Sequence, residues 1–375
     1  MNQKSEPIYL DYNASAPLLP EVKSAMISMM DFCGNSASVH THGRKIRSYV
    51  DVARREVLAD VDAKGARLIF TGSATEANNM VLKGIVAKSF VISAIEHASL
   101  FQISEDVHHI PVDENGIVKL SALEQILRTL EPPALVSVML VNNETGVIQP
   151  VEEVVRIAHS YSAIVHTDVV QALGKVPVSF HGLGVDAMTL GAHKFGGPPG
   201  VGALIIHDGL NFKPLITGGG HEQGFRAGTQ NVMLIEGFRI ALHEATQNFE
   251  KYQQLGILRD RLEGEILKIC PEAKIYGRGA KRVPNTTVIA MPHVSSEVQL
   301  MAFDLAGISI SIGSACSSGK VKPSHVLSAM GVQNLHQNGA IRVSLGWNTK
   351  PQDIEVFVSE WKHIYQGNLQ RLAVC

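Results

Sequence analysis

A lysine lies between a short apolar run and a turn rich in glycine and proline in the segment Gly191–Gly200. A single lysine at a strand end usually lies on the surface, because burying an ammonium group is costly. In α/β sheets, however, ligands bind at the carboxyl ends of the strands. An amine enclosed there has a lowered pKa and can form a Schiff base with the aldehyde of a cofactor. The position of Lys194 therefore makes it a candidate nucleophile.

Two other strand ends carry groups that would complement such a lysine. Asp168 closes an apolar run and would keep a pyridine nitrogen protonated, although a helix N-cap is an equally ordinary role for it. The segment Phe70–Glu76 places small and hydroxyl residues before a helix, where backbone N–H groups bind phosphate or where Ser73 and Glu76 form a capping box. Its spacing matches neither a dinucleotide fingerprint nor a P-loop. Together, the three strand ends indicate a pyridoxal-phosphate (PLP) site.

Cysteine usage points to one reactive thiol. The chain has four cysteines, Cys33, Cys270, Cys316 and Cys375, with no CxxC pair and no metal-ligand spacing, so we expect neither a disulfide framework nor a metal site. We interpret Cys33 and Cys270 as buried small hydrophobes and Cys375 as a frayed end. Cys316 lies among serine, glycine and alanine residues between a strand and a helix, where a thiol has the access that reactivity requires.

Short apolar runs alternate with longer amphipathic stretches through the first two-thirds of the chain, which predicts an α/β sandwich with a mostly parallel central sheet. The helix candidates include Thr75–Ala87 and Val151–Ser160. The strand candidates are Arg67–Thr71, Phe90–Ala94, Leu135–Val141, Ala163–Thr167, Ala187–Leu190 and Gly202–Ile206. Lys194, Asp168 and the Phe70–Glu76 turn all follow such runs, so the sheet would bring them to one edge.

The pattern changes after about residue 244. A long helix, Glu244–Ile269, leads to antiparallel-looking strands at Thr287–Met291, Ser309–Ile312 and Ala340–Ser344. We expect a large PLP-binding domain at 14–246 and a smaller α+β domain formed by 1–13 and 247–375, which carries the Cys316 loop.

Composition limits the possible partners and location. With 375 residues and 45% hydrophobic residues, the chain can build a substantial core. The formal net charge of −2 speaks against binding to nucleic acid or to a membrane surface. No apolar run approaches the roughly 20 residues that span a bilayer. The polar segment Met1–Pro7 lacks the layout of a signal peptide, so we expect a cytoplasmic protein.

Several segments, in order and in register, resemble the cysteine desulfurases of the nitrogen-fixation and iron–sulfur-cluster-assembly type, which belong to the class V aminotransferase superfamily and to fold type I of the PLP enzymes. The resemblance runs nearly from end to end. It is carried by Tyr9–Ala14, Asn35–His40, Thr71–Asn78, Glu96-His97, Val141–Gly146, His166–Gly174, Gly191–Gly200, Gly218–Glu222, Arg226–Thr229, Gly313–Ser318 and Ile341–Gly346.

The resemblance implies a role for each matching residue of the site. Lys194 would bond to PLP, Cys316 would receive the sulfur of L-cysteine as a persulfide, and His97 would stack on the ring and move protons. The other residues would hold the cofactor or the substrate: Asp168 the ring nitrogen, Gln171 the ring hydroxyl, Ala74, Thr75 and His193 the phosphate, Thr229 the phosphate of the neighbouring subunit, and Asn143 and Arg342 the substrate carboxylate. A homodimer is therefore implied.

The implied reaction converts L-cysteine to L-alanine, with the sulfur passed on to an acceptor such as an iron–sulfur scaffold protein. A selenocysteine lyase or a related aminotransferase of the same superfamily remains an alternative. The Cys316 loop argues against an aminotransferase, which would not need it. It does not exclude a selenocysteine lyase, because a C–Se bond breaks without a protein nucleophile. An inactive scaffold that binds a sulfur acceptor is a further alternative. A nicotinamide dehydrogenase is disfavoured, because the chain lacks the fingerprint glycines of a dinucleotide site. Arg342 also has a purely structural interpretation as a member of an ion pair.

Three departures from the family pattern affect the site. Gly191 stands where a phosphate-binding serine is usual, which implies roughly 1 kcal/mol weaker cofactor retention for one lost hydrogen bond. The order Gly72-Ser73-Ala74-Thr75 replaces the usual Ser-Gly-Ala-Thr, so Ser73 could supply the missing hydroxyl. The stretch from His97 to Val112 is several residues short, so we expect a clipped helix after His97.

Overall fold

The computed structural model describes residues 6–101, 107–313, 323–333 and 338–374. The strands in these ranges are β1 Ile8–Tyr9, β2 Arg67–Thr71, β3 Ser89–Ser93, β4 Val107–Ile110, β5 Ala134–Ser137, β6 Ile164–Asp168, β7 Ala187–Gly191, β8 Gly202–Ile206, β9 Lys274–Tyr276, β10 Thr286–Ala290, β11 Ile308–Ser309 and β12 Ala340–Ser344. Seven of them form one sheet in the order β2-β8-β7-β6-β5-β3-β4. Only β8 runs antiparallel to its neighbours in that sheet, so the predicted mostly parallel sheet is confirmed.

Both faces of this sheet are covered, since nearly every residue of its central strands β5, β6, β7 and β8 is buried, whichever face it points to. The helices in the described ranges are α1 Pro20–Met29, α2 Thr41–Asp60, α3 Ala74–Gly84, α4 Ala98–Phe101, α5 Leu120–Thr129, α6 Val151–Ser160, α7 Phe180–Leu183, α8 Val232–Gln247, α9 Phe249–Gln253, α10 Leu255–Ile269, α11 Ser296–Leu305, α12 His325–Ala329 and α13 Pro351–Val374. None of these is both long and apolar enough to cross a bilayer.

A second hydrophobic core lies outside the central sheet. It joins Leu10 of the N-terminal segment to side chains between Leu255 and Trp361. The strands β9, β10 and β12 form an antiparallel sheet beside it. This arrangement agrees with a small domain that includes the N-terminal segment, and the division of the chain at 13/14 and 246/247 stays a prediction.

Several local predictions were wrong. The expected helix Glu244–Ile269 is divided among the end of α8, α9 and α10. At the first break, the side-chain amide of Asn248 bonds to the Glu244 carbonyl (2.9 Å) and competes with continuation of α8. The expected strand Ser309–Ile312 is reduced to β11, which pairs in parallel with β1, and to a single antiparallel bridge between Ser311 and Arg342. Cys33 is exposed rather than buried, whereas Cys270 is buried as expected.

Candidate active site

Lys194 is held by its own chain and does not extend into solvent. β7 ends at Gly191, and a 3₁₀ turn over Ala192–Lys194 carries the lysine away from the strand. The partly buried Lys194 amine donates to the carbonyl oxygens of Asn13 (2.6 Å) and Ala14 (2.7 Å). The amine that the sequence singled out is therefore enclosed at the carboxyl end of a strand.

Asp168 ends the neighbouring strand. It pairs in register with Thr189 of β7, two residues before Gly191. Only 6% of the residue is exposed. One carboxylate oxygen accepts the Val170 N–H (2.9 Å), and the other accepts from Nδ2 of Asn78 (2.8 Å). A buried carboxylate held on both oxygens, at the end of the strand next to β7, can offer a fixed negative charge to a ring nitrogen.

A hydrogen-bonded chain links Asp168 to His97. Asn78 on α3 donates its second amide hydrogen to Ser99 Oγ (2.9 Å), and that hydroxyl lies 2.8 Å from His97 Nδ1. The Ser99 N–H also donates to His97 Nδ1 (3.2 Å). Because Nδ1 accepts, a neutral His97 carries its proton on Nε2. The sequence analysis missed Asn78 and Ser99; the available signal was an asparagine one turn into a helix that faces a strand end.

The N-terminus of α3 offers backbone donors to an anion. The Ser73 side chain accepts the Glu76 N–H (3.1 Å), and the Glu76 carboxylate accepts the Gly72 N–H (2.7 Å). Ser73 thus caps the helix, but the capping box is only half formed, because Glu76 bonds to Gly72 and not to the Ser73 N–H. The N–H groups of Ala74 and Thr75 have no partner within the described residues. Two free N–H groups at a helix N-terminus suit a phosphate.

His193 lies close to both Lys194 and His97. Burial, and then the positive charges of Lys194 and His97, lowers the pKa of His193 to about 4. The His193 imidazole is therefore neutral near pH 7 and can donate or accept one hydrogen bond. The structure thus brings together the predicted side chains His97, His193 and Lys194.

Arg342 has the ion pair that its structural interpretation requires. The guanidinium is 3% exposed, donates to Asp11 (2.9 Å) and also donates to the Asn143 carbonyl (3.1 Å). Its Nε is nevertheless buried without a partner among the described residues. A buried unsatisfied donor is costly, and a carboxylate placed beside it would satisfy it.

Gln171 lies at the centre of a buried network. Its Nε2 donates to the Asn13 carbonyl (2.9 Å), the same oxygen that accepts from Lys194. Its Oε1 accepts from Lys175 Nζ (2.6 Å), and that amine also donates to Asn13 Oδ1 (2.8 Å). The sequence analysis missed Asn13 and Lys175, since nothing in their local pattern indicates that they meet.

The remaining predicted residues lie apart from this cluster or outside the described residues. Thr229 is exposed, on a segment that the Arg226–Glu76 ion pair (2.8 Å) ties to α3. Cys316 lies outside the described residues. A helix, α4, begins after His97 as expected, and its shortening stays a prediction because residues 102–106, which follow it, are outside the described ranges.

The residues present fit PLP. The described site supplies an enclosed amine, a buried carboxylate on the adjacent strand, two free backbone N–H groups and an unpaired guanidinium N–H. These are the donors and acceptors that an aldehyde, a pyridine nitrogen, a phosphate and a substrate carboxylate require.

Residues 8–357 match the family described as Aminotransferase class-V, and the chain belongs to that family. A protein named cysteine desulfurase IscS from Dictyoglomus turgidum is 38% identical over 362 residues, which cover 92% of this chain and 91% of that protein. A cysteine desulfurase from Cereibacter sphaeroides is 40% identical over 360 residues, 92% of each chain. The cysteine desulfurase NifS of Azotobacter vinelandii is 34% identical, over 94% of this chain and 91% of its own length.

Solved structures agree with these matches. A NifS-like protein from Rickettsia africae superposes with a TM-score of 0.90 at 34% identity, over 96% of this chain and 100% of its own. A protein solved as SspA in complex with cysteine has a TM-score of 0.75 at 28% identity, over 90% and 98% of the two chains. The predicted family and the predicted α/β fold are therefore confirmed.

Proposed function

We propose that the protein is a PLP-dependent cysteine desulfurase, which converts L-cysteine to L-alanine and receives the sulfur on Cys316 as a persulfide. The observation that carries the proposal is that two neighbouring strands end in the required groups: the enclosed Lys194 amine follows β7, and the buried Asp168 carboxylate ends β6. The similarity to cysteine desulfurases over more than nine-tenths of the chain supports the same activity.

The bound cofactor supplies an electron sink for the carbon atoms next to the substrate nitrogen. Lys194 would hold its aldehyde, Asp168 its ring nitrogen, and Ala74, Thr75 and His193 its phosphate. Gln171 would face the ring hydroxyl. Because Asp168 is an acceptor held on both oxygens, it favours a protonated ring nitrogen, which is the form that withdraws electrons.

The protein's own groups would handle the proton and the substrate. As a free base, Lys194 Nζ would accept the α-proton of L-cysteine. His97 would carry a proton on Nε2, because its Nδ1 is occupied by Ser99. Arg342 Nε, which has no partner in the described part of the chain, would bind the substrate carboxylate together with Asn143.

Cys316 would take the sulfur. Its thiolate attacks the substrate sulfur, an S–S bond forms on the protein, the substrate C–S bond breaks, and the carbon takes up a proton to leave as L-alanine. The thiolate, and not the thiol, is the nucleophile in this attack. Overall, L-cysteine and the Cys316 thiol give L-alanine and a protein persulfide.

Replacing Cys316 tests this proposal. Cys316→Ser should bind PLP and develop its visible colour but release no alanine from L-cysteine. Cys33→Ser, at an exposed cysteine, is the matched control and should keep full turnover. Mass spectrometry after a single turnover should find an added 32 Da on the peptide that contains Cys316. Substantial alanine release by the Cys316→Ser protein would contradict the persulfide step.

A homodimer, a protein acceptor for the sulfur and a cytoplasmic location remain parts of the proposal that rest on the family resemblance. In a dimer, the exposed Thr229 would reach the phosphate of the neighbouring subunit. Sedimentation of the wild-type protein tests the dimer. Transfer of ³⁵S from loaded protein to a candidate iron–sulfur scaffold tests the acceptor.

A further inference from the structure

Lys175 is a buried lysine that the proposed chemistry does not use. It is 1% exposed, and no described carboxylate forms an ion pair with it. Its amine bonds instead to two amide oxygens, Gln171 Oε1 (2.6 Å) and Asn13 Oδ1 (2.8 Å). Burial, and then the charges of Lys194 and Arg342, lowers the pKa of Lys175 well below its usual value. A lysine is rarely placed in such a position without a partner of opposite charge.

The contacts of Lys175 determine which way two carboxamides point. A lysine amine donates to both oxygens, so each amide must turn its oxygen toward Lys175 and its NH₂ group away. The NH₂ of Gln171 then donates to the Asn13 carbonyl (2.9 Å), beside the Lys194 amine. The NH₂ of Asn13 donates to Thr286 Oγ1 (2.9 Å).

Loss of Lys175 would release the Gln171 amide more than the Asn13 amide. Asn13 Oδ1 keeps a second donor, Nδ2 of Asn285 (3.2 Å), and its NH₂ keeps Thr286. Among the described residues, Gln171 Oε1 has no donor besides Lys175. A glutamine that is free to turn would present its oxygen, an acceptor, where its NH₂ had been.

We propose that Lys175 is a positioning residue of the cofactor site, which holds the Gln171 carboxamide so that its second N–H faces the cofactor. This inference rests on the proposed function, in which Gln171 meets the ring hydroxyl oxygen. Lys175 itself touches neither cofactor nor substrate; it acts through Gln171.

The test is the pH titration of the visible absorption of PLP-loaded protein, which reports the proton on the Lys194 nitrogen. A donor at the ring oxygen stabilises that oxygen most when the nitrogen has lost its proton. Removing the donor should therefore raise the midpoint, by roughly one pH unit for one hydrogen bond. Lys175→Met, which removes the amine and keeps an unbranched apolar side chain, and Gln171→Leu should both raise the midpoint.

The double variant separates positioning from a direct effect of charge. If Lys175 acts through Gln171, Lys175→Met should add less than half of its own shift in a Gln171→Leu background. A fully additive shift would mean that Lys175 acts without Gln171 and would overturn the inference, as would an unchanged midpoint in Lys175→Met. Lys88→Met, at an exposed lysine paired with Glu131, is the control and should titrate like wild type.

Thermal unfolding of the cofactor-free proteins shows whether each variant folds. If Lys175→Met does not fold, Lys175→Gln takes its place in the test. Because glutamine keeps donor hydrogens, its titration midpoint should rise above that of wild type, but by less than loss of the donor would raise it. An unshifted midpoint would count against the inference. If wild-type protein with PLP shows a visible band and these variants do not shift it, the inference alone fails. Absence of any visible band in wild type would refute the proposed function and the inference with it.

Discussion

Asn78 gives the sharpest test of how the candidate site is held together. It is 1% exposed, and both hydrogens of its amide are used, one on Asp168 Oδ2 (2.8 Å) and one on Ser99 Oγ (2.9 Å). Asn78→Ala removes both donors. Asp168 keeps the Val170 N–H (2.9 Å), so its carboxylate would be weakened but not released.

The expected loss follows from the charge on Asp168. A hydrogen bond to a charged group contributes about 1.5–3 kcal/mol. Since 1.4 kcal/mol is a factor of ten in rate, kcat should fall about 10- to 100-fold if the carboxylate supports the cofactor ring nitrogen in the transition state. The fold should tolerate the change, because the Asn78 Oδ1 is already buried with no partner among the described residues and alanine removes that penalty.

Alanine release at saturating L-cysteine and PLP measures the effect, with thermal unfolding of the cofactor-free protein as the check on folding. Asn79→Ala is the matched control. It removes the same side chain from the next position of α3, where the amide has one partner among the described residues, the Thr75 carbonyl of its own helix (2.9 Å). An Asn78→Ala protein within twofold of the wild-type kcat, or an equal loss in Asn79→Ala, would refute the assigned role of the chain from Asp168 to His97.

Three other outcomes are expected. Gly191→Ser should lower the melting temperature, because a Cβ there would lie 3.3 Å from a Val170 methyl and 3.1 Å from the Ala74 Cβ. Such overpacking costs about 1–3 kcal/mol of stability, and adding Val170→Ala should recover part of that loss. Burial lowers the pKa of His166 to about 3, so between pH 6.5 and 3 the unfolded chain binds a proton that the folded chain does not. Stability should therefore fall as the pH is lowered through that range, by about 1.4 kcal/mol per pH unit. Denaturant unfolding of His166→Gln should show a shallower dependence of stability on pH, and an unchanged dependence would contradict this. Arg342→Lys should raise KM for L-cysteine more than it lowers kcat, because it loses the planar donor fork; steady-state kinetics decide, and an unchanged KM would leave Arg342 as a purely structural ion pair with Asp11.

The central sheet could be predicted because its strands are short, apolar and covered on both faces. The predicted bounds of Arg67–Thr71 and Gly202–Ile206 agree with β2 and β8 residue for residue. The edge strand β4 was missed because two of its four residues are exposed histidines, which break the apolar pattern. The helix break at Asn248 was missed because a side-chain amide produces it, and hydrophobic periodicity does not register such a bond.

For the candidate site, sequence reasoning located the groups at strand ends but not the groups that hold them. Lys194 and Asp168 were predicted because each follows a buried strand. Asn13 and Lys175 meet across 162 positions of the chain. Such a contact is created by the packing of distant segments, and no local propensity or spacing encodes it.

The contacts of Asn13 indicate that the site is assembled between the two cores. Its N–H donates to Ser344 Oγ (2.9 Å), and its carbonyl accepts from both Gln171 and Lys194. Asp11, two residues earlier, pairs with Arg342. The short segment that joins Leu10 of the second core to the large sheet thus contacts the groups proposed for cofactor and for substrate.

This geometry has a consequence for loading of the cofactor. As an ammonium, Lys194 has three protons and can donate to both Asn13 O and Ala14 O. A lysine nitrogen bonded to an aldehyde carbon keeps at most one proton, so at least one of those two bonds must be given up. The Asn13 carbonyl would still accept from Gln171, whereas no other described side chain donates to the Ala14 carbonyl. On binding of PLP the Ala14 carbonyl should therefore lose more hydrogen bonding than the Asn13 carbonyl, and the ¹³C NMR shifts of the two carbonyl carbons measure this difference.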